Sequence, residues 1–340
     1  MGRRNVRHTL SCVLLNFLLS APSAALTSDT KLVELGMRLF GDVRLSADHT
    51  ISCASCHIPE RSFADGRRVS LGIRNQQGVR NAPSLVGIVD RTSFFWDGRR
   101  RTLEEAVVDP LLNPAEHGLR TLSELERRLQ SIPAMEREFQ RIRASGSRSS
   151  STPIARVDLY RKSMTTFLRS ITVPASPFEL YLKGDSGALS AEQVSGLAIF
   201  KGAGGCASCH SIDGPKPVLT DEKFHGVGLG IVSGDGVAVA TLRAVSLLSG
   251  RPLDHVLQID HELAGLGRFL VTGSPRDVGK FRTPTLRLVS HTGPYMHDGS
   301  IATLEEAITQ ELYYRSLSKG QQIVLSPDER KALLEFLRAL

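Results

Sequence analysis

The sequence predicts a mainly helical protein made of two similar domains in tandem. Two observations carry this prediction. An amphipathic helical segment that ends at a glycine precedes each of two copies of one pentapeptide, and a longer set of matching residues follows both copies at one constant offset. With 340 residues and an ordinary balance of charged and apolar side chains, the chain is long enough for two packed domains.

The repeated pentapeptide is Cys-Ala-Ser-Cys-His, at residues 53–57 and 206–210. Two thiols three positions apart can form thioethers with the two vinyl groups of a haem, while the adjacent histidine binds the iron. The sequence therefore predicts two covalently bound haem c groups. Their attachment residues are Cys53, Cys56, Cys206 and Cys209, and their proximal ligands are His57 and His210. The alternative is a zinc site or a disulfide built from the same residues, but the extra histidine in both copies is superfluous for zinc.

Residues 1–25 are typical of a secretory signal peptide. Three arginines precede an apolar run from Leu10 to Leu19, which is too short for a good membrane span, and small residues follow up to Ala25. We therefore expect export to the periplasm and no membrane span. Cys12 is lost with this segment. Removing its three arginines lowers the formal net charge from +7 to +4, a surplus that suits an acidic redox partner better than nucleic acid.

Helical spacing of apolar residues predicts a helix before each pentapeptide, over residues 29–40 and 190–200. Ser190 and Gln193 form a capping box at the start of the second of these helices. Further helices are predicted over residues 154–169 and from Ser326 to about residue 337, where Ser326 and Glu329 form another capping box. The serine-rich residues 144–151 are predicted to form a surface loop.

The duplication extends beyond the pentapeptides. Residues 81–85 match residues 282–286, and residues 96–106 match residues 297–307. We therefore place a first domain at 26–172, a linker at 173–187 and a second domain at 188–340. The second copy is longer by a glycine-rich stretch, from about residue 211 to residue 267, which is predicted to form loops and turns.

Several segments together resemble those of the bacterial di-haem cytochrome c peroxidase and MauG family. They are the two pentapeptides and residues 80–83, 95–98, 113–116 and 294–299. The resemblance covers nearly all of the mature chain. It implies two cytochrome c-like haem domains: a peroxidatic haem in the first, where peroxide is cleaved, and an electron-transfer haem in the second.

The resemblance also implies roles for individual residues. Trp96 corresponds to a tryptophan between the haems, and Pro110 to a proline that shapes the distal pocket. Glu116 corresponds to the distal acid, which can take a proton from one peroxide oxygen and return it to the other. The family's calcium ligands correspond to Asn81, Thr292 and Pro294, whose oxygens suit a hard cation. The alternatives are a core tryptophan, a solvated glutamate and turn residues without a metal.

The most consequential departure from the family pattern is Ile73. In peroxidases that need prior reduction, a histidine at this position caps the resting iron, and isoleucine cannot bind iron. His49 and His117 are possible substitutes. We therefore hypothesise that the first haem is five-coordinate, or bound only to water, at rest, as in MauG. A second departure is Ala106, which stands where the family often has a pocket glutamine.

The distal ligand of the second haem stays open at the level of sequence. The family places a methionine or a tyrosine at a position that aligns with Glu311. Tyr314 lies one helical turn further on the same face, which favours it over Tyr313. Met296 is the rival, because methionine is a common axial ligand and its counterpart in the first repeat is Phe95.

These inferences predict a periplasmic enzyme that reacts with hydrogen peroxide at the first haem and passes electrons through the second. The electron donor is either a small protein, a cytochrome c or a cupredoxin, or a side chain of a partner protein that is modified. The family's tendency to dimerise makes a homodimer an expectation. The alternative is a non-catalytic electron carrier in which both haems are capped.

Overall fold

A computed structural model describes residues 28–145, 155–226 and 235–340. Helices make up 52% of it, which confirms the predicted fold class. The predicted signal peptide and most of the predicted serine-rich loop lie outside the described residues. Among the described helices, none combines the length and the apolar character that a membrane span requires.

The first half of the chain contains six described helices. They are α1 (Ser28–Phe40), α2 (Leu103–Ala106), α3 (Asp109–Leu112), α4 (Leu122–Ser131), α5 (Pro133–Ser145) and α6 (Arg156–Ser170). The predicted helices over residues 29–40 and 154–169 correspond to α1 and α6. The apolar faces of these six helices form one core, in which Leu39, Phe139 and Tyr160 are fully buried.

The second half contains seven described helices. They are α7 (Pro177–Leu182), α8 (Ala191–Lys201), α9 (Asp235–Leu248), α10 (Leu253–Ile259), α11 (Phe269–Thr272), α12 (Leu304–Lys319) and α13 (Pro327–Leu337). The capping boxes predicted at Ser190 and Ser326 are present at the starts of α8 and α13. Two short strands, β1 (Phe224–Gly226) and β2 (Lys280–Arg282), pair antiparallel with Phe224 opposite Arg282.

The loop prediction for residues 211–267 is wrong where α9 and α10 form. Most of the glycines cluster between residues 226 and 236, ahead of or at the start of α9. Beyond them, buried Ala244, Val256 and Leu257 pack with Leu263 and Phe269 in a small core of their own. This apolar burial stabilises the helices, and the glycine content of the whole stretch concealed the pattern.

The predicted linker, residues 173–187, contains α7. Ser176 and Glu179 form a capping box at its start, and Phe178 is fully buried in the core of the second half. Glu179 also pairs with Arg287 at 2.8 Å, and both side chains are buried. From residue 177 onward the segment therefore packs with the second half.

Each half is held together by one pair of closely crossing helices. Gly36 of α1 faces the Ser163 carbonyl of α6, and Gly196 of α8 faces the Ala332 carbonyl of α13. One turn beyond each glycine, phenylalanine rings meet across the helices: Phe40 with Phe167, and Phe200 with Phe336. The same crossing therefore occurs in both repeats.

The two repeats contact each other through equivalent residues. The Asn81 N–H donates to the His297 carbonyl at 2.9 Å, and the Arg282 N–H donates to the Trp96 carbonyl at 2.8 Å. Asn81 corresponds to Arg282 in the repeat, and Trp96 to His297. The interface therefore has the self-complementary form of a two-fold contact, within one chain.

We predict that Gly196→Ala destabilises the second half. A Cβ at this position would lie 1.9 Å from the Ala332 carbonyl oxygen, so α8 and α13 must separate. Overpacking of this kind costs about 1–3 kcal/mol, which exceeds the gain of about 1 kcal/mol from the better helix propensity of alanine. Urea unfolding followed by circular dichroism measures the difference.

Gly187→Ala is the matched control, because its Cβ would meet no atom closer than 3.5 Å. Equal stability of the two variants would show that the crossing can adjust to a methyl group.

Candidate active site

The first pentapeptide forms a short 3-10 turn over Cys53–Ser55. Cys53, Cys56 and His57 line one cavity, called here the first cavity. Nδ1 of His57 lies 3.0 Å from the carbonyl oxygen of Phe63. A proton on Nδ1 is donated to this carbonyl, so Nε2 keeps its lone pair for a metal.

The second pentapeptide repeats this geometry. Cys206, Cys209 and His210 line a second cavity, and Nδ1 of His210 lies 3.0 Å from the carbonyl oxygen of Leu219. Phe63 and Leu219, which supply the two carbonyls, both have a φ of 59°, unusual for side chains of this size. The same orienting contact is therefore built twice.

Burial lowers the pKa of both histidines, that of His210 to about 4, and so favours the neutral form that binds a metal. Among the described residues no disulfide joins the four motif cysteines, and burial raises the pKa of the Cys53 thiol to about 12. Because the two motifs line separate cavities, the alternative of one zinc site built from all four cysteines is wrong.

One further group of potential ligands lies beside the second motif. Single ligand atoms of Cys209, Asp221 and His225 come within 4.8 Å of one another. Nε2 of His225 is already paired with Asp221 at 2.8 Å. A Cys209 sulfur used for a haem thioether would not be available to this group.

Glu116 lines the first cavity, as does Pro110. Nδ2 of Asn113 donates to the Glu116 carboxylate at 2.7 Å, while Oδ1 of Asn113 accepts from the Ala115 N–H at 2.9 Å. The turn thereby fixes the direction of the carboxylate. Burial raises the pKa of Glu116 to about 8, and the nearby charge of Asp254 acts in the same direction.

A shared guanidinium lies beside this acid. Arg99 contacts Asp97 at 3.2 Å, Asp254 at 3.2 Å and Asp109 at 3.6 Å. Its guanidinium carbon lies 3.6 Å from the centre of the Phe95 ring, which holds it in place from the other side. Arg99 therefore divides its charge among three carboxylates.

The three residues considered as caps of the first iron lie in different places. Ile73 is buried, its Cδ1 lies against Gly118, and it lines a surface groove rather than the first cavity. His49 is exposed and lines the same groove. His117 does line the first cavity: its Nδ1 lies 3.2 Å from the Pro110 carbonyl, and its buried Nε2 has no partner in the described structure.

The candidates for the distal ligand of the second haem also lie in different places. Met296, Tyr314 and Glu311 line the second cavity, whereas Tyr313 is 57% exposed and does not. Met296 has a φ of 71°, close to the 68° of its counterpart Phe95. The repeated backbone thus presents different side chains to the two cavities.

Trp96 lies between the cavities and lines both. Its indole Nε1 donates to the Asn81 carbonyl at 2.9 Å, and its own carbonyl accepts from Arg282. These contacts, one to each repeat, fix the ring at the interface.

The residues that correspond to the family's calcium ligands lie along the wall of one cavity. Asn81, Thr292 and Pro294 all line it. The side-chain NH₂ of Asn81 donates to the Arg67 carbonyl at 2.9 Å, which leaves the side-chain oxygen as a possible ligand. Together with backbone carbonyls, this is a donor set of oxygens that fits calcium.

Comparisons with known proteins agree with this geometry. The family model described as di-haem cytochrome c peroxidase matches residues 30–187. Cytochrome-c peroxidase IdrP2 of Denitromonas iodatirespirans is 31% identical over 95% of this chain and 84% of that protein. The chain belongs to the di-haem cytochrome c peroxidase and MauG family. It is therefore a di-haem peroxidase-type oxidoreductase with two haem c groups.

Both branches of the family are among the relatives. Methylamine utilization protein MauG of Methylorubrum extorquens is 30% identical over 91% of this chain and 77% of that protein. A solved structure described as a MauG-like protein associated with microbial copper homeostasis has a TM-score of 0.71 at 29% identity, and the match covers 91% of this chain and 89% of that one.

A partly buried cation that lines both cavities fits the two haems. Arg91 lines both cavities, donates to the Ser84 carbonyl and has no carboxylate within ion-pair distance among the described residues. Burial lowers its pKa to about 9, with a further contribution from the charge of Arg282. Haem propionates would supply the anionic partner that such a guanidinium requires.

Sequence reasoning missed Arg91, Arg99, Asn113 and Asp254. Asn113 could have been found, because an Asn followed by a Pro favours a turn in which the Asn side chain binds the backbone two residues further on. The contact of Arg99 with Asp254 joins distant parts of the chain and leaves no local signal.

We predict that Tyr314→Phe changes the visible spectrum of the second haem, because Tyr314 lines the second cavity and Phe offers no oxygen to the iron. Tyr313→Phe is the matched control, since this exposed neighbour should leave the spectrum unchanged. Electron paramagnetic resonance of the oxidised variants measures the change. A spectrum altered by Met296→Leu, but not by Tyr314→Phe, would assign the ligand to Met296.

Proposed function

We propose that this protein is a periplasmic enzyme that reacts with hydrogen peroxide at the first haem and moves electrons through the second. The observation that carries the proposal is the placement of Trp96 and Glu116. The indole lines both cavities, whereas the acid lines only the first. The signal-peptide pattern of residues 1–25 supports the periplasmic location.

Glu116 is the proposed proton carrier. When bound, the first haem supplies an iron that binds peroxide and exchanges electrons. The carboxylate, oriented by Asn113, accepts a proton from one peroxide oxygen and returns it to the other as the O–O bond breaks. Two electrons and two protons in total convert peroxide into two molecules of water. Pro110 contributes an apolar wall to the pocket and no proton.

The electrons come from one of two kinds of donor. A small cytochrome c or cupredoxin would make the protein a cytochrome c peroxidase, as the name of the IdrP2 relative supports. A side chain of a partner protein would make it a MauG-like modifying enzyme. Two observations favour this second candidate: Ile73 cannot cap the first iron, and one relative of known structure is described as MauG-like.

The non-catalytic carrier is less well supported. It requires a cap on both irons, and the acid that lines the first cavity would then have no use. We also propose a calcium ion held by Asn81, Thr292 and Pro294, next to the contact between the repeats. Its removal by a chelator should disturb electron exchange between the haems.

The decisive experiment adds one equivalent of peroxide to the fully oxidised protein without a reductant. We predict a rapid change in both haem spectra in stopped flow, because no residue at position 73 blocks the first iron. In Trp96→Phe the change at the second haem should lag, since the ring between the cavities is smaller.

The outcomes separate the proposals. A reaction that begins only after the second haem is reduced would mean that a residue such as His117 caps the first iron. Two low-spin haems that do not react with peroxide in any redox state would favour the electron carrier.

We predict that Glu116→Gln slows the reaction with peroxide by about a hundredfold or more, the usual contribution of a positioned proton carrier. Both haem spectra should stay intact, because glutamine keeps the shape of the side chain. Glu104→Gln is the control, because the Glu104 side chain is 42% exposed, pairs with Arg169 and does not line the first cavity. Wild-type kinetics in Glu116→Gln would remove this acid from the mechanism.

The reaction should also depend on pH. Since the pKa of Glu116 is raised to about 8, the proton-accepting carboxylate is the minor form at neutral pH and becomes the major form above pH 8. The second-order rate constant for peroxide should therefore rise with pH through about 8, and Glu116→Gln should abolish this rise.

A further inference from the structure

The second half of the chain contributes to the wall of the first cavity. Asp254 and Leu257, both on α10, line this cavity together with residues of the first half. α10 belongs to the stretch by which the second repeat is longer than the first. An element absent from the first repeat therefore covers the site in which Glu116 lies.

Asp254 is held in place by Arg99. The guanidinium contacts the Asp254 carboxylate at 3.2 Å and also contacts Asp97 and Asp109. Burial raises the pKa of Asp254, and the charge of Arg99 opposes this rise. The ion pair thus joins α10 to the turn that follows Trp96.

The charged and titratable groups near Glu116 come from three elements. Asp109 and His117 lie on its own segment, Arg99 on the turn after Trp96, and Asp254 on α10. Asp254 and Asp109 raise the pKa of Glu116, whereas Arg99 lowers it. Cys53 and Cys56 are also close, but they carry no charge as thioethers.

We propose that Asp254 is a positioning residue for the peroxide reaction: through Arg99 and its own charge, it sets how strongly Glu116 holds its proton. The second half of the chain thereby controls proton transfer at the first haem. The proposal rests on the proposed role of Glu116. A carboxylate with higher proton affinity is the better acceptor for a peroxide proton.

The test titrates Glu116 directly in the protein with both haems. The carboxylic-acid carbonyl band in infrared difference spectra is assigned by its loss in Glu116→Gln and is followed against pH. We expect a midpoint near pH 8 in the wild type. In Asp254→Asn the midpoint should fall by about one pH unit, because a negative charge is removed and Arg99 is released to act on Glu116.

Two variants serve as controls. Asp254→Glu keeps the charge and should restore a midpoint close to that of the wild type. Glu262→Gln removes an exposed acid from the same stretch and should leave the midpoint unchanged. Asp254→Ser removes the charge with a smaller side chain and replaces Asp254→Asn if that variant does not bind both haems.

Equal midpoints in the wild type and in the neutral variants at position 254 would overturn the proposal. A different outcome would contradict the proposed role of Glu116. In that case the infrared band would titrate as expected, yet Glu116→Gln would react with peroxide at the wild-type rate. A lower midpoint in Asp254→Asn, accompanied by the same shift in the pH profile of the peroxide reaction, would support both.

Discussion

The pair of backbone hydrogen bonds between the repeats is the contact on which the rest of the structure depends. In one bond Asn81 of the first repeat contacts His297 of the second, and in the other Arg282 of the second repeat contacts Trp96 of the first. Asn81 and Arg282 are equivalent positions, and so are Trp96 and His297. A self-complementary contact of this kind places the two cavities symmetrically about the interface. Only one of the two equivalent positions carries an indole, so this symmetric contact holds a single tryptophan, Trp96, between the cavities. On the other side, the His297 ring stacks on Phe281 at 3.7 Å.

The two repeats support their haems with the same contacts but place different side chains in the two cavities. Both proximal histidines have the same carbonyl contact, and both helix crossings use a glycine. The residue before Trp96 and the residue before His297 share a left-handed backbone conformation. In the first repeat this residue is Phe95, which lines the first cavity and stacks against Arg99, whereas in the second it is Met296, which lines the second cavity. A common backbone thus carries different side chains at equivalent positions of the two cavities.

The parts of the fold that follow from local pattern could be predicted from sequence. Capping boxes and helical spacing predicted α8 and α13 closely, and the two pentapeptides line the two cavities, as expected of haem-attachment motifs. α9 and α10 were missed because glycine content was averaged over a stretch in which the glycines are clustered. Arg91 and the Arg99–Asp254 pair could not be predicted. Their importance comes from burial and from contacts between distant segments, and neither leaves a periodic signal in the chain.

Asp97 and Glu116 both lie near the Arg99 guanidinium, yet the pKa of Asp97 is lowered and that of Glu116 is raised. Burial acts against ionisation of both Asp97 and Glu116. Asp97 contacts both Arg99 and Arg80, and their charges lower its pKa to about 2 in spite of burial. Glu116 has an amide partner, Asn113, and lies near a guanidinium that Asp97, Asp109 and Asp254 already share. The charge left for Glu116 is too small to offset its burial, so the acid that lines the first cavity is the one that retains a proton near neutral pH.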